Sequence, residues 1–235
     1  MKTVLTHRAR QAGATLMEVL VAMSISLVVT ASMIALMANS LGTTGRIVKM
    51  TKLADDMRVA MQMMTRDVRR SNYNRDAILC YGNEDCATDG TLTAVGDVNL
   101  VDIDADGANE CFWFLTDRNL DDYETAAEAG GFRRVPVGGV GVIEMWTGGA
   151  TPDCSALPGS GGWVEITNPG DMNITSFVID DTLSYDDVVL EDINGNTVTQ
   201  RVRKLRMSVQ GQLVVDPTVW RQVEDVISVR NDLIL

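Results

Sequence analysis

Histidine is almost absent from this sequence. Among 235 residues there is one, His7, close to the N-terminus. A chain processed beyond that point would hold none, which excludes a histidine general base, a histidine-based triad and histidine-ligated metals together. Basic residues are also scarce: 20 Lys and Arg stand against 32 Asp and Glu, a formal net charge of −12. Phosphate binding needs basic surface, so no nucleic-acid partner is expected. The four cysteines form no CxxC pair, which argues against zinc, and no histidine activates a catalytic thiol. No phosphate loop, cofactor motif or repeat period appears, and the reading is of a protein that is not an enzyme. Apolar residues, by contrast, make up 46 % of the chain. That suffices for a packed core and excludes wholesale disorder. The length suits one domain, or one domain with an appendage.

Charge is unevenly spread. Residues 1–13 carry +3, residues 14–45 carry −1 (Glu18), residues 46–75 carry +5, and residues 76–235 carry −19. Such asymmetry predicts different environments for different parts of the chain. Residues 16–38 contain one charge, Glu18, and no Pro or Gly. A helix of that length spans ~35 Å, enough to cross a bilayer core. The basic residues ahead of it predict a cytoplasmic N-terminal segment, with the rest translocated. A secretory signal would place a small-residue cleavage site after the apolar run, whereas here Gly13 precedes it. A carboxylate two residues into a membrane helix is costly unless paired, which makes Glu18 a functional candidate.

The run Gly13-Ala14-Thr15-Leu16-Met17-Glu18-Val19-Leu20 resembles the class III signal of type IV prepilins and type II secretion pseudopilins. The resemblance implies a leader of residues 1–13, cleavage between Gly13 and Ala14 by a prepilin peptidase, and N-methylation of Ala14. It also implies a fifth mature residue, Glu18, with a role in assembly. Ala14 departs from the usual Phe or Met at the first mature position. The physics is consistent: the new amine of Ala14 is a cation at the membrane edge. Glu18 of a neighbouring subunit can neutralise it, turning two charges that are costly in hydrocarbon into one pair.

Beyond the membrane segment, Gly42 and Gly45 are weak helix positions, each costing about 1 kcal/mol against Ala. They are expected to mark a bend or a locally unwound stretch. Leu53, Met57, Met61, Met64 and Val68 then recur at spacings of four, four, three and four, one apolar face of a helix. Methionines suit adaptable packing, and this stripe is expected to lie against the protein's own sheet. Residues 16–50 are expected to contact other subunits. The helix is predicted over 14–72, with the membrane segment at about 16–38 and the stem at about 46–72.

From about residue 73 to 235 the pattern is of short strands in an extracytoplasmic head. Strands are predicted at 110–115, 140–146, 162–166, 174–180, 187–191, 197–210 and 223–229. Turns are predicted at Gly130-Gly131, Gly138-Gly139, Gly148-Gly149, 158–162, Pro169-Gly170 and Asn194-Gly195-Asn196. Cys80, Cys86, Cys111 and Cys154 all fall in the exported part, where disulfides are the expected state. Four cysteines allow three pairings. The favoured one joins Cys80 to Cys86 across a small loop and ties Cys111, on a strand, to Cys154, in a glycine-rich loop.

Residues 57–73, 110–117, 131–134, 162–177 and 229–232 together are similar to PilW-type minor pilins. That resemblance implies an α+β fold related to the J-type pseudopilins, with a long N-terminal membrane-spanning helix packed on an antiparallel β-rich head.

Asp102, Asp104 and Asp106 alternate, Gly107 supplies a sharp turn, the Ala108 carbonyl is available and Glu110 follows at the ninth position. This matches the first half of an EF-hand-type loop and offers oxygens to calcium. Trp113 stands where the bidentate Glu should be, and the flanks read as strand, so the candidate is a calcium-stabilised loop rather than an EF-hand. Calcium binding there needs another segment, Asp97 or the 117–122 region, to complete the shell. The acid pairs Asp180-Asp181, Asp186-Asp187 and Glu191-Asp192 imitate the two carboxylates of a glycosidase, but read better as solvated surface. So acidic a head also keeps an exported, hydrophobic-tailed subunit soluble.

The resulting expectation is a structural minor pilin, incorporated in a type IV pilus or priming its assembly through helix packing. Its implied partners are other minor and major pilins, the prepilin peptidase, and the inner membrane with its assembly platform. The head would be periplasmic before assembly and extracellular in the pilus afterwards. A type II secretion J-type minor pseudopilin and a tip-displayed adhesive module are the alternatives.

Overall fold

The computed structural model describes residues 13–71, 98–120, 125–191, 197–229 and 233–234. It forms two compact units, Met1–Val48 and Lys49–Leu235. A single long helix, α1 (Leu16–Arg69), contributes to both. Gly42 and Gly45 do not interrupt it, contrary to the expected unwinding. Around these glycines the hydroxyls of Thr43 and Thr44 hydrogen-bond the carbonyls of Asn39 and Ser40, at 3.0 and 2.9 Å. Two weak positions are tolerated because propagation of an existing helix adds a hydrogen bond per residue, and only nucleation is costly.

In the second unit, Leu53, Met57, Met61, Met64 and Val68 are all buried, as their spacing predicts, and Ala60 joins them. They pack in one core with residues of the head's strands. Each such side chain contributes about 1.5–3 kcal/mol on burial. Arg58, Arg66 and Arg69 take the exposed faces.

Five strands pair antiparallel in chain order: β1 (Asn99–Val101), β2 (Cys111–Phe114), β3 (Gly130–Val137), β4 (Val140–Trp146) and β5 (Trp163–Glu165). A second sheet has the order β10 (Trp220–Ser228), β9 (Lys204–Leu213), β6 (Met172–Asp180). A third has β11 (Leu233–Ile234), β8 (Thr197–Val202), β7 (Tyr185–Glu191). The first two sheets are tied by polar contacts. The Gly141 N–H donates to Asn173 Oδ1 at 2.8 Å, and Arg134 Nε donates to the Ile174 carbonyl at 2.8 Å.

Strand alternation divides the residues of the first sheet between two cores. All four phenylalanines of the chain join the core that holds the α1 stripe, with Phe112 at the centre, 5.5 to 6.3 Å from the rings of Phe132, Phe177 and Phe114. A second, smaller core gathers Cys111, Ala129, Trp146, Cys154 and Trp163.

Several strand assignments differ from the sequence reading. Gly130-Gly131 is not a turn but the start of β3. A Cβ at Gly130 would press on the Phe114 ring at 2.8 Å, and one at Gly131 on the Phe112 carbonyl oxygen at 2.8 Å. The glycines serve close strand packing rather than chain reversal. Gly138-Gly139 is the turn expected: both residues have positive φ, 59° and 85°, between the paired β3 and β4. The predicted strand 197–210 is two strands in different sheets. They part at Arg203, whose carbonyl accepts the Val229 N–H at 3.1 Å, while the Ser184 hydroxyl accepts the Lys204 N–H at 3.0 Å. β1, β3 and β11 were not predicted as strands. The Asn194-Gly195-Asn196 turn lies outside the described residues, between the paired β7 and β8.

Candidate functional site

At the N-terminal end, Gly13 and Ala14 are exposed and precede the helix. No atom lies within 4 Å of where a Cβ on Gly13 would stand, so packing of the described residues does not demand a glycine there. Helix α1 begins with a cap: Thr15 Oγ1 accepts the Glu18 N–H at 3.3 Å, and the Thr15 carbonyl accepts the Val19 N–H at 3.2 Å. Thr15 followed three residues later by Glu18 is a capping-box spacing. Sequence reasoning passed over that signal, although the residues were in view. Glu18 therefore also opposes the positive end of the helix dipole.

The helix is apolar on its outside. Leu16, Leu27 and Leu36 are 79 %, 72 % and 70 % exposed. Three of its hydroxyls bond to its own backbone: Ser24, Thr30 and Ser32 donate to carbonyls three or four residues back, at 2.7 to 2.8 Å. An apolar exterior suits hydrocarbon, and the helix is long and apolar enough to cross a membrane.

The acidic loop connects β1 to β2. Asp102, Asp104, Asp106 and Glu110 each bring a carboxylate oxygen within 4.8 Å of the others. The loop is wound on its own side chains. Asp102 accepts the N–H groups of Ala105 (2.7 Å) and Gly107 (2.8 Å), Asp104 that of Asp106 (3.2 Å), and Asp106 that of Ala108 (2.8 Å). Ala105 and Gly107 adopt positive φ, 62° and 95°. Glu110 is buried and accepts the Ile103 N–H at 3.1 Å. Burial pushes its carboxyl above the usual range, and Asp104 and Asp106 push it the same way against that hydrogen bond. The far end is anchored where Asn109 pairs with Ile179 of β6. Oxygens gathered this way offer a hard cation part of its shell. Strands flank the loop, as read from the sequence. Asp117 is not in the cluster, and Asp97, Asp121 and Asp122 lie outside the described residues.

Cys111 and Cys154 form a disulfide with 43 residues of separation, tying β2 to the loop after β4 as expected. Cys80 and Cys86 lie outside the described residues. Asp180, one of the paired acids, is committed to its neighbour: it accepts from the Thr182 N–H and hydroxyl, both at 2.8 Å. The side chains of the other two acid pairs lie outside the described residues.

The sequence reading missed a buried polar centre beside that disulfide. Arg133 and Glu144 are wholly buried and ion-paired at 2.7 Å. The Arg133 guanidinium lies 4.4 Å from the Trp163 ring centroid. The signal was a charge on each of two predominantly apolar segments, GGFRRVPV and VGVIEMW.

Against known proteins, a family model described as a prokaryotic N-terminal methylation motif matches residues 8–34. A second, described as prepilin peptidase-dependent protein B, matches residues 46–229. No curated protein and no solved structure matches the chain.

Proposed function

The chain belongs to the prepilin peptidase-dependent protein B family and is a membrane-anchored structural protein of the pilin or pseudopilin type; from that premise we propose that it is a minor pilin of a type IV pilus. It is cut between Gly13 and Ala14, methylated on Ala14, and held in the inner membrane by residues 16–38 with its head in the periplasm. It then enters the filament, or primes it, by packing of the N-terminal helix against other minor and major pilins. Glu18 meets the N-terminal amine of a neighbouring subunit and sets the register of that packing. The observation that carries the reading is the helix surface before Val48. It is apolar and exposed, and Glu18 is the one charged residue between Ala14 and Arg46.

Mass spectrometry of the subunit from membranes tests this directly. The expected mass begins at Ala14 and includes one methyl group. A chain starting at Met1, or cut elsewhere, overturns the leader assignment. Gly13→Ala is expected to leave the precursor intact. Glu18→Ala is expected to be processed but depleted from sheared filaments; wild-type abundance there rules out its assembly role.

We further propose that the loop of Asp102, Asp104, Asp106, Ala108 and Glu110 holds calcium as a structural ion. The convergence of four carboxylates between two strands supports it, because their mutual repulsion is relieved by a divalent cation.

A further inference from the structure

A groove of about 980 Å³ lies beside the last turn of α1, within the second unit. Arg66, Arg69 and Arg70 line it from the helix, and Arg118 lines it from the segment after β2. Two acids also line it, and both are engaged: Asp67 lies 3.3 Å from Arg66 Nε, and Asp117 is buried with a partner of its own. Arg69 and Arg70 are exposed. Trp146 lines the same groove.

Arginines in the last turn of a helix also oppose its negative end. That role accounts for Arg66 and Arg69, but not for Arg118, which comes from another element and also donates to the Ala129 carbonyl at 3.4 Å. The groove is a basic site on a chain whose residues 76–235 carry 28 acids against nine bases. Arginine forks match carboxylates in a bidentate way.

We propose that this groove binds an acidic polypeptide segment of a neighbouring subunit. Side-chain carboxylates of the segment sit on Arg69 and Arg70. The source of the segment rests on the reading of an assembling subunit; the groove and its charge do not.

The test uses the full chain in detergent micelles, with a fluorescent peptide of eight glutamates as probe and one of eight lysines as control. Saturable binding of the glutamate peptide is expected, weakened about tenfold in Arg69→Glu/Arg70→Glu and less in Arg69→Gln/Arg70→Gln. The indole N–H resonance of Trp146, identified with Trp146→Phe, is expected to shift on binding. Equal affinity in the charge-reversed variant, an unmoved Trp146 resonance, or complete competition by inorganic phosphate at matched concentration would each overturn the proposal. The Gly13→Ala precursor is expected to bind the peptide as the wild type does. Loss of peptide binding by a correctly processed subunit rejects the groove and leaves the pilin reading standing.

Discussion

Glu144 Oε2 accepts hydrogen bonds from both Nε and Nη2 of Arg133, at 2.9 and 2.7 Å. The pair sits directly across β3 and β4. The remaining guanidinium hydrogens reach the carbonyls of Cys154 (2.9 Å), Ala156 (2.7 Å) and Leu157 (3.2 Å). Glu144 Oε1 takes the Gly159 N–H at 2.7 Å. One ion pair thus supplies hydrogen-bond partners to the backbone of the loop that closes over it.

Removing one partner strands the other charge away from water. Glu144→Gln is expected to lower stability by about 3–5 kcal/mol, read as a fall in the thermal unfolding midpoint. Arg133→Met/Glu144→Leu should recover part of that loss, because no charge remains buried. A double variant as unstable as the sum of the singles would show that the two act independently.

The same loop is held covalently. Cys111→Ala/Cys154→Ala is expected to cost about 2–4 kcal/mol by loosening the unfolded chain's constraint across 43 residues. Limited proteolysis should then cut within 147–162 faster than in the wild type; an unchanged digestion pattern would mean that the Arg133 network alone fixes the loop.

Glu128 carries a pH dependence. Burial raises its carboxyl, but the N–H groups of Asn119, Arg118 and Thr125 and the Thr125 hydroxyl outweigh burial and bring it below the usual range. Those donors lie at 3.0, 2.7, 3.3 and 3.2 Å. A carboxylate with a lowered folded pKa stabilises above its unfolded value, and that stability is lost as pH falls through the folded one. Stability is therefore expected to drop below about pH 4, and to drop less steeply in Glu128→Gln, which is weaker at neutral pH. Parallel acid-unfolding profiles of the two would show that Glu128 does not contribute.

Calcium is expected to raise the unfolding midpoint of the wild-type chain, and chelator to reverse it. Asp104 is exposed, and its carboxylate accepts the Asp106 N–H. Asp104→Ala should fold normally yet lose the calcium response. No shift with calcium in the wild type refutes the ion site.

Much of this architecture was legible in one dimension because its signals are local. An apolar run of 23 residues with one charge can only be a spanning or buried helix. Leu53 to Val68 repeat at helical spacing, so the buried face of the stem could be named residue by residue. The strand at 140–146 and the Gly138-Gly139 turn follow from alternation and from the backbone freedom of glycine. Gly13 and Glu18, and the alternating acids of 102–110, are motifs in a continuous stretch, and the structure leaves the acids clustered as their spacing suggests.

Other features depend on partners far apart in the chain, and these only tertiary structure decided. Glycine permits a turn or a close approach equally well; the Phe114 ring and the Phe112 carbonyl select close approach at Gly130-Gly131. The apolar phase shifts around Arg203, from Val198 and Val202 to Leu205, Met207 and Val209, but that local break does not reveal that the chain changes sheets there. Which cysteine meets Cys111 depended on where the loop after β4 folds back. The charges of Arg133 and Glu144 read as surface in isolation. Their burial becomes tolerable only when the strands place them opposite one another and the carbonyls of residues 154–157 close around the guanidinium. The sequence by itself determined the anchor, the stem face and the acidic loop, because helix and turn signals are short-range. The tertiary structure decided the sheet order, the second core and the basic groove, because those rest on contacts between residues tens of positions apart.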